Sequence, residues 1–120
     1  MNTTHQIGRL TADPEPIRDT EHGKVTTFRL AVPRAKASAR EADFLTVEVW
    51  DRIAELCAAH LTQGREVAVV GRLEQREWRT ESDERRERIV IVARQVDFLR
   101  SPRRESAAAA PDDADDAGEI

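Results

Sequence analysis

An all-β domain carrying a single helix is predicted by three features of this sequence. Apolar and polar residues alternate through Val25 to Val32, Phe44 to Trp50 and Glu66 to Trp78. A strand sends successive side chains to opposite faces, so each segment can wall a core on one side only. Between Trp50 and Gly64 the period changes: Ile53, Leu56, Cys57, His60 and Leu61 fall at the spacing of one buried helical stripe. Breakers at Pro14, Pro16, Gly23 and Pro33 punctuate the rest. Five strands with a helix after the third is the order of an OB-fold, a five-stranded Greek-key barrel with its helix between strands 3 and 4.

Taken in order, the first strand covers about His5 to Leu10, and Thr11 to Lys24 reads as a long connection. In the second strand Phe28, Leu30 and Val32 share one face, and Thr27, Arg29 and Ala31 the other. Arg34 to Asp43 is a polar loop holding Arg34, Lys36 and Arg40. Asp51 is placed to cap the helix through its carboxylate, and Gly64 suits the left-handed residue that ends one. The strand from Glu66 to Trp78 is long enough that a barrel must curve it, and Gly71 can relieve crowding at that bend. Thr80 to Glu87 reads as a charged loop, and Ile89 to Leu99 as the last strand. The domain therefore spans residues 1–100. Residues 101–120 have no apolar pattern to offset the entropy of ordering and read as a disordered acidic tail.

The net charge of −4 conceals a segregation of charge. Residues 1–105 hold all 19 Lys and Arg against 18 acids, and the other five acids crowd the last nine residues. A near-neutral body with an acidic tail can still present a local basic face. Cys57 is the only cysteine, which fits a reducing compartment. No apolar run approaches the ~20 residues needed to span a bilayer, and the first residues lack the pattern of a signal peptide. A cytoplasmic, nucleoid-associated protein with no membrane contact is the expectation.

Side-chain parity carries the functional argument. In Phe44 to Trp50, Leu45, Val47 and Val49 face one way, and Phe44, Thr46, Glu48 and Trp50 the other. In the next strand Val67, Val69, Gly71 and Leu73 share the inward face, leaving Arg72, Glu74, Arg76 and Trp78 outside. With Arg29 from the second strand, neighbouring strands would gather three aromatics and at least three guanidinium groups on one surface. Aromatic faces stack on bases at ~1–3 kcal/mol each, and basic groups follow the phosphates. That combination suits single-stranded nucleic acid, with Arg34 and Lys36 extending the track. The blander readings are a subunit contact for Trp50 or Trp78, packing of Phe44 on the barrel end, and solvated ion pairs for Arg72 and Arg76.

An enzyme is not expected. His5, His22 and His60 are scattered, Cys57 sits on a buried stripe that argues for an inert thiol, and Asp112, Asp113, Asp115 and Asp116 lack the ordered spacing of a calcium loop. No cofactor or metal is anticipated.

The pieces now assembled resemble the bacterial single-stranded DNA-binding proteins (SSB) over about residues 4–99. They are Gly8-Arg9-Leu10 with Asp13-Pro14-Glu15, Phe28-Arg29-Leu30-Ala31-Val32, Phe44 with Val49-Trp50, the helix with Gly64, Val67 to Leu73, and Trp78. The resemblance implies an OB-fold that binds single-stranded DNA in replication, recombination and repair, usually as a homotetramer, with a dimer the other option. It implies that aromatics at Phe44, Trp50 and Trp78 stack on bases while basic residues contact phosphates. Three departures stand out: Lys36 replaces a further aromatic of many members, the first strand is unusually polar, and the tail ends Ala117-Gly118-Glu119-Ile120 without the family's Pro-Phe. Asp115, Asp116, Glu119 and Ile120 are thus the candidate docking residues for replication and repair proteins, in an auxiliary or a phage- or plasmid-type member. The other readings are an accessory OB-fold protein of replication restart, similar to primosomal replication protein N, and an assembly module whose aromatic face is a subunit interface.

Overall fold

The alternating segments form strands, and their register closes them into a barrel. The computed structural model describes residues 1–35 and 42–101. Along the chain run β1 (Thr4–Leu10), β2 (Arg18–Thr20), β3 (Gly23–Pro33), β4 (Ala42–Trp50), α1 (Asp51–His60), β5 (Glu66–Arg79) and β6 (Arg85–Phe98). The sheet order is β1-β5-β6-β4-β3-β2, and a further pairing of β1 with β3 closes it. All contacts are antiparallel except β4–β6, where Thr46, Val47 and Glu48 run parallel to Val90, Ile91 and Val92. This is the OB-fold the sequence predicts, with β2 as a short addition inside the expected Thr11–Lys24 connection.

Closure depends on β1 dividing its partners. Thr4 to Arg9 pair with β5, while Arg9 and Leu10 pair with β3. Gly8 sits at the changeover, and a Cβ there would collide with the Ala31 carbonyl. Gly71 plays the matching part on β5, where a Cβ would collide with the Val92 carbonyl. Opposite it β6 carries a bulge: Gly71 pairs with Ala93 and Val70 with Gln95, leaving Arg94 as the extra residue. The bulge re-aims β6, so Ile91 and Ala93 face the core before it and Val96 and Phe98 after it. Leu30, Val47, Val49, Val67 and Val69 form the centre of that core, all completely buried.

Helix α1 packs against β3, β4 and β6. Its buried side differs from the expected stripe, since Ala54 and Cys57 are buried while Leu56 and His60 are exposed. At ~100° per residue, the helix is turned so that the small Ala54 meets the barrel and Leu56 reaches the rim. Asp51 does not cap α1. Trp50 occupies the cap position without a side-chain bond, and Asp51, at φ 49°, instead accepts a 3.2 Å hydrogen bond from the Lys24 N–H. Nor does Gly64 terminate the helix, which ends at His60. Gly64 does adopt a positive φ of 90°, in the following turn, where its N–H bonds the Leu10 carbonyl at 2.9 Å.

Beyond Gly71, β5 and β6 continue as a hairpin. The connection is shorter than the expected Thr80–Glu87 loop, because β5 runs to Arg79 and β6 already starts at Arg85. Thr80 N–H bonds the Glu84 carbonyl, and Asp83 takes the left-handed conformation (φ 65°) that closes a three-residue hairpin loop. The two strands leave the barrel here, which is why Leu73 is exposed rather than inward. Asn2 braces the hairpin's root, accepting from the Leu73 N–H and donating to its carbonyl, both at 2.9 Å.

Candidate nucleic-acid interface

Register turns the parity pattern into a surface. Arg29 lies opposite Thr46, Thr27 opposite Glu48 and Ala31 opposite Phe44 across β3–β4. Thr46 and Glu48 then lie beside Val90 and Val92 on β6, which pair with Glu74 and Arg72 on β5. Farther along the hairpin, Arg76 pairs with Arg88 and Trp78 with Arg86. Directly paired residues share a face. One outer surface therefore holds Phe44, Trp50, Trp78, Arg29, Arg72 and Arg76, as parity predicts, together with Arg86 and Arg88. Trp50 lies six positions along β4 from Phe44, about 20 Å at the rise of a strand.

Each end of the face pairs a ring with a guanidinium. The Arg29 guanidinium carbon lies 5.3 Å from the centroid of Phe44, and that of Arg88 lies 5.5 Å from the centroid of Trp78. Both rings remain accessible, Phe44 at 47% and Trp78 at 44%. A cation over an aromatic face is attracted by the ring quadrupole, which orients the ring without desolvating it fully. Among the described residues neither Arg29 nor Arg88 has an ion-pair partner.

The centre is organised differently. Glu48 Oε1 accepts from the Trp50 indole N–H at 2.9 Å and from Arg76 Nη2 at 2.6 Å. Glu74 takes the other side of Arg76 through Oε1 and holds Arg72 through Oε2 at 2.6 Å. Beneath this network Val90 and Val92 are buried although they face outward. Long charged side chains cover them, burying stems and exposing heads. Hydrogen bonds from Arg76 and then Arg72 hold the Glu74 carboxyl below the ordinary carboxylate range, and Glu74 in turn raises Arg76 above its ordinary value.

Arg34 stands just past β3, bound to Asp43 at 2.7 Å. Lys36 lies outside the described residues, as do Asp115, Asp116, Glu119 and Ile120. Reading residues 80–87 as loop and starting the last strand at Ile89 left Arg86 and Arg88 out of the face. The signal was the alternation Arg86, Arg88, Val90, Val92, which continues the last strand toward its start. The bulge at Arg94 changes the inward positions from odd (Ile91, Ala93) to even (Val96, Phe98), a change the sequence hides because Val90 and Val92 are apolar as well. Among the described residues no group of three His, Cys, Asp or Glu is placed to hold a metal, and no helix is long and apolar enough to cross a membrane.

Known proteins carry the same frame. The solved complex of a Plasmodium falciparum SSB with single-stranded DNA superposes with a TM-score of 0.72 at 28% identity, covering 82% of this chain and 95% of that one. A single-stranded DNA-binding protein of Caldanaerobacter subterraneus subsp. tengcongensis is 39% identical over 102 residues, which is 82% of this chain and 68% of the relative. Single-stranded DNA-binding protein 2 of Staphylococcus aureus is 41% identical over 103 residues, 82% of this chain and 72% of that protein. The profile described as the single-strand binding protein family matches residues 1–99, the whole barrel and hairpin. By barrel topology, sequence identity and extent of match, the chain belongs to the single-strand binding protein family.

Proposed function

We propose that this protein binds single-stranded DNA without sequence preference and without catalysing a reaction on it. The observation that carries the reading is the continuous outer face on β3, β4, β6 and β5 that joins Phe44, Trp50 and Trp78 to Arg29, Arg72, Arg76 and Arg88. Bases stack on the rings and phosphates follow the guanidinium groups, so recognition depends on features common to all nucleotides. Arg34 and Lys36 extend the path beyond the end of β3. The names and the bound strand of the relatives support the same reading. The physiological setting that follows is cytoplasmic replication, recombination and repair.

Self-association belongs to this proposal. Among the described residues, β1 pairs with β3 only at Arg9 and Leu10, which leaves its edge from Thr4 to Gly8 open. Ile7 within that stretch is exposed. An open strand edge is a template for a second copy. Asp115, Asp116, Glu119 and Ile120 are proposed to dock replication and repair proteins through charge and a single aliphatic anchor.

Titration with oligo(dT) while following tryptophan emission tests the central claim. Quenching that weakens as salt rises is expected, with log K falling by ~0.7 per log unit of salt for each phosphate neutralised. Unchanged emission and no strand retention at micromolar protein would sink the reading.

A further inference from the structure

The central network of the face contains as much negative as positive charge. Arg72 and Arg76 are the two guanidinium groups nearest its middle, and both are already bound to carboxylates. The carboxylates are not equivalent. The Glu48 side chain is only 14% exposed, sits between Thr27 and Val92, and holds Trp50 as well as Arg76. The Glu74 side chain is 35% exposed, and among the described residues the two arginines are the donors to its carboxylate.

We infer that Glu74 is an intramolecular competitor of the phosphate backbone, displaced from Arg72 and Arg76 when a strand binds, while Glu48 stays in place as the positioning residue for Trp50 and Arg76. This rests on the single-stranded DNA reading and adds to it which charges the strand must exchange. The physics follows from exposure. An accessible carboxylate–guanidinium pair has a small net stability because water solvates both partners, so a phosphate can replace the carboxylate at little cost. Glu48 would leave an indole N–H and a part-buried guanidinium without an acceptor, which costs more. Each exchanged arginine also leaves Glu74 beside the bound phosphate, an unfavourable like-charge contact. Binding is therefore weaker, and less steeply salt-dependent, than the number of arginines on the face suggests.

The test compares oligo(dT) affinity and salt slope for the full chain and three variants. Glu74→Gln should bind roughly three- to tenfold tighter at about 0.1 M salt, with a slope steeper by ~0.7 for each additional phosphate neutralised. Glu77→Gln removes the same charge from the opposite face of the hairpin, where Glu77 pairs with Arg85, and should stay within about twofold of wild type. Glu48→Gln should give no gain and should shift the Trp50 indole N–H resonance, which Glu74→Gln should leave in place. A Glu74→Gln variant that binds no tighter than wild type overturns the proposal, as does an equal gain from Glu77→Gln or Glu48→Gln. Loss of binding by the wild-type chain itself would instead refute the DNA-binding reading, so the two failures are distinct.

Discussion

Arg88 lies over the ring of Trp78, 5.5 Å from guanidinium carbon to ring centroid, on the part of the hairpin that projects beyond the barrel. Arg29 and Phe44 repeat that arrangement at 5.3 Å on the far side of the face. Among the described arginines of this face, Arg29 and Arg88 are the two without a carboxylate partner, and both are held at stacking surfaces. A strand that stacks on the ring meets a phosphate ligand at the same place.

Trp78→Ala should therefore weaken oligo(dT) binding by ~1–3 kcal/mol, the usual value of one base–aromatic stack. Arg88→Ala should weaken it less and flatten the salt dependence by ~0.7, as expected when one phosphate is no longer neutralised. Fluorescence titration at several salt concentrations, read through Trp50 in the first case, separates the two effects. An unchanged slope in Arg88→Ala would remove that residue from the phosphate path.

Acid should loosen the central network before it unfolds the barrel. Arg76 and Arg72 depress the Glu74 carboxyl in the folded state, so its contribution is present above the ordinary value of 4.5 and is lost as pH falls through the lower folded value. The effect on stability is small because the pair is accessible. Urea midpoints of wild type and Glu74→Gln should differ slightly at pH 7 and converge toward pH 3.

Burial pushes the Cys57 thiol up to about 12 from 9.0. The folded chain keeps its thiol neutral where the unfolded chain ionises. Stability from this group is complete below about 9 and falls as pH climbs toward about 12. Alkylation at pH 8 should be slow in the native protein and become rapid only in denaturant, measured by mass spectrometry.

Gly71→Ala should lower stability by ~1–3 kcal/mol, the cost of forcing atoms into a packed site. The new methyl group meets the Val92 carbonyl on the neighbouring strand, and backbone cannot step aside as a flexible side chain would. A denaturant midpoint shift measures it. Because Arg72 and Leu73 follow immediately, loss of DNA affinity beyond the loss of folded protein would show that the bend also aims the hairpin.

Parity was legible in the sequence because period-two alternation is a local property. Val47 and Val49 inward, with Phe44 and Trp50 outward, needed no knowledge of neighbours. What escaped depended on partners. Asp51 has the chemistry of a helix cap, but Lys24, distant in sequence, offers its N–H to that carboxylate. Leu56 matches the helical stripe, yet the angle at which α1 meets the barrel selects Ala54. Leu73 continues an inward series on a strand that has already left the barrel. Arg86 was read as loop and Arg88 left outside the last strand because charge-rich segments are usually solvated, whereas a hairpin with both faces in water can be as charged as any loop.

The parallel pairing of β4 with β6 brings Thr46 to Glu48 against Val90 to Val92, 44 positions later in the chain. Loops that long close slowly, because chain entropy is lost before the contacts form. The two halves of the face are therefore separated in time as well as in sequence. A nascent chain with β6 still inside the ribosome has Phe44 and Trp50 but no strand to carry Arg88 beside them. In refolding experiments the helical signal should return first, and capture of a labelled strand should wait for the last structural step.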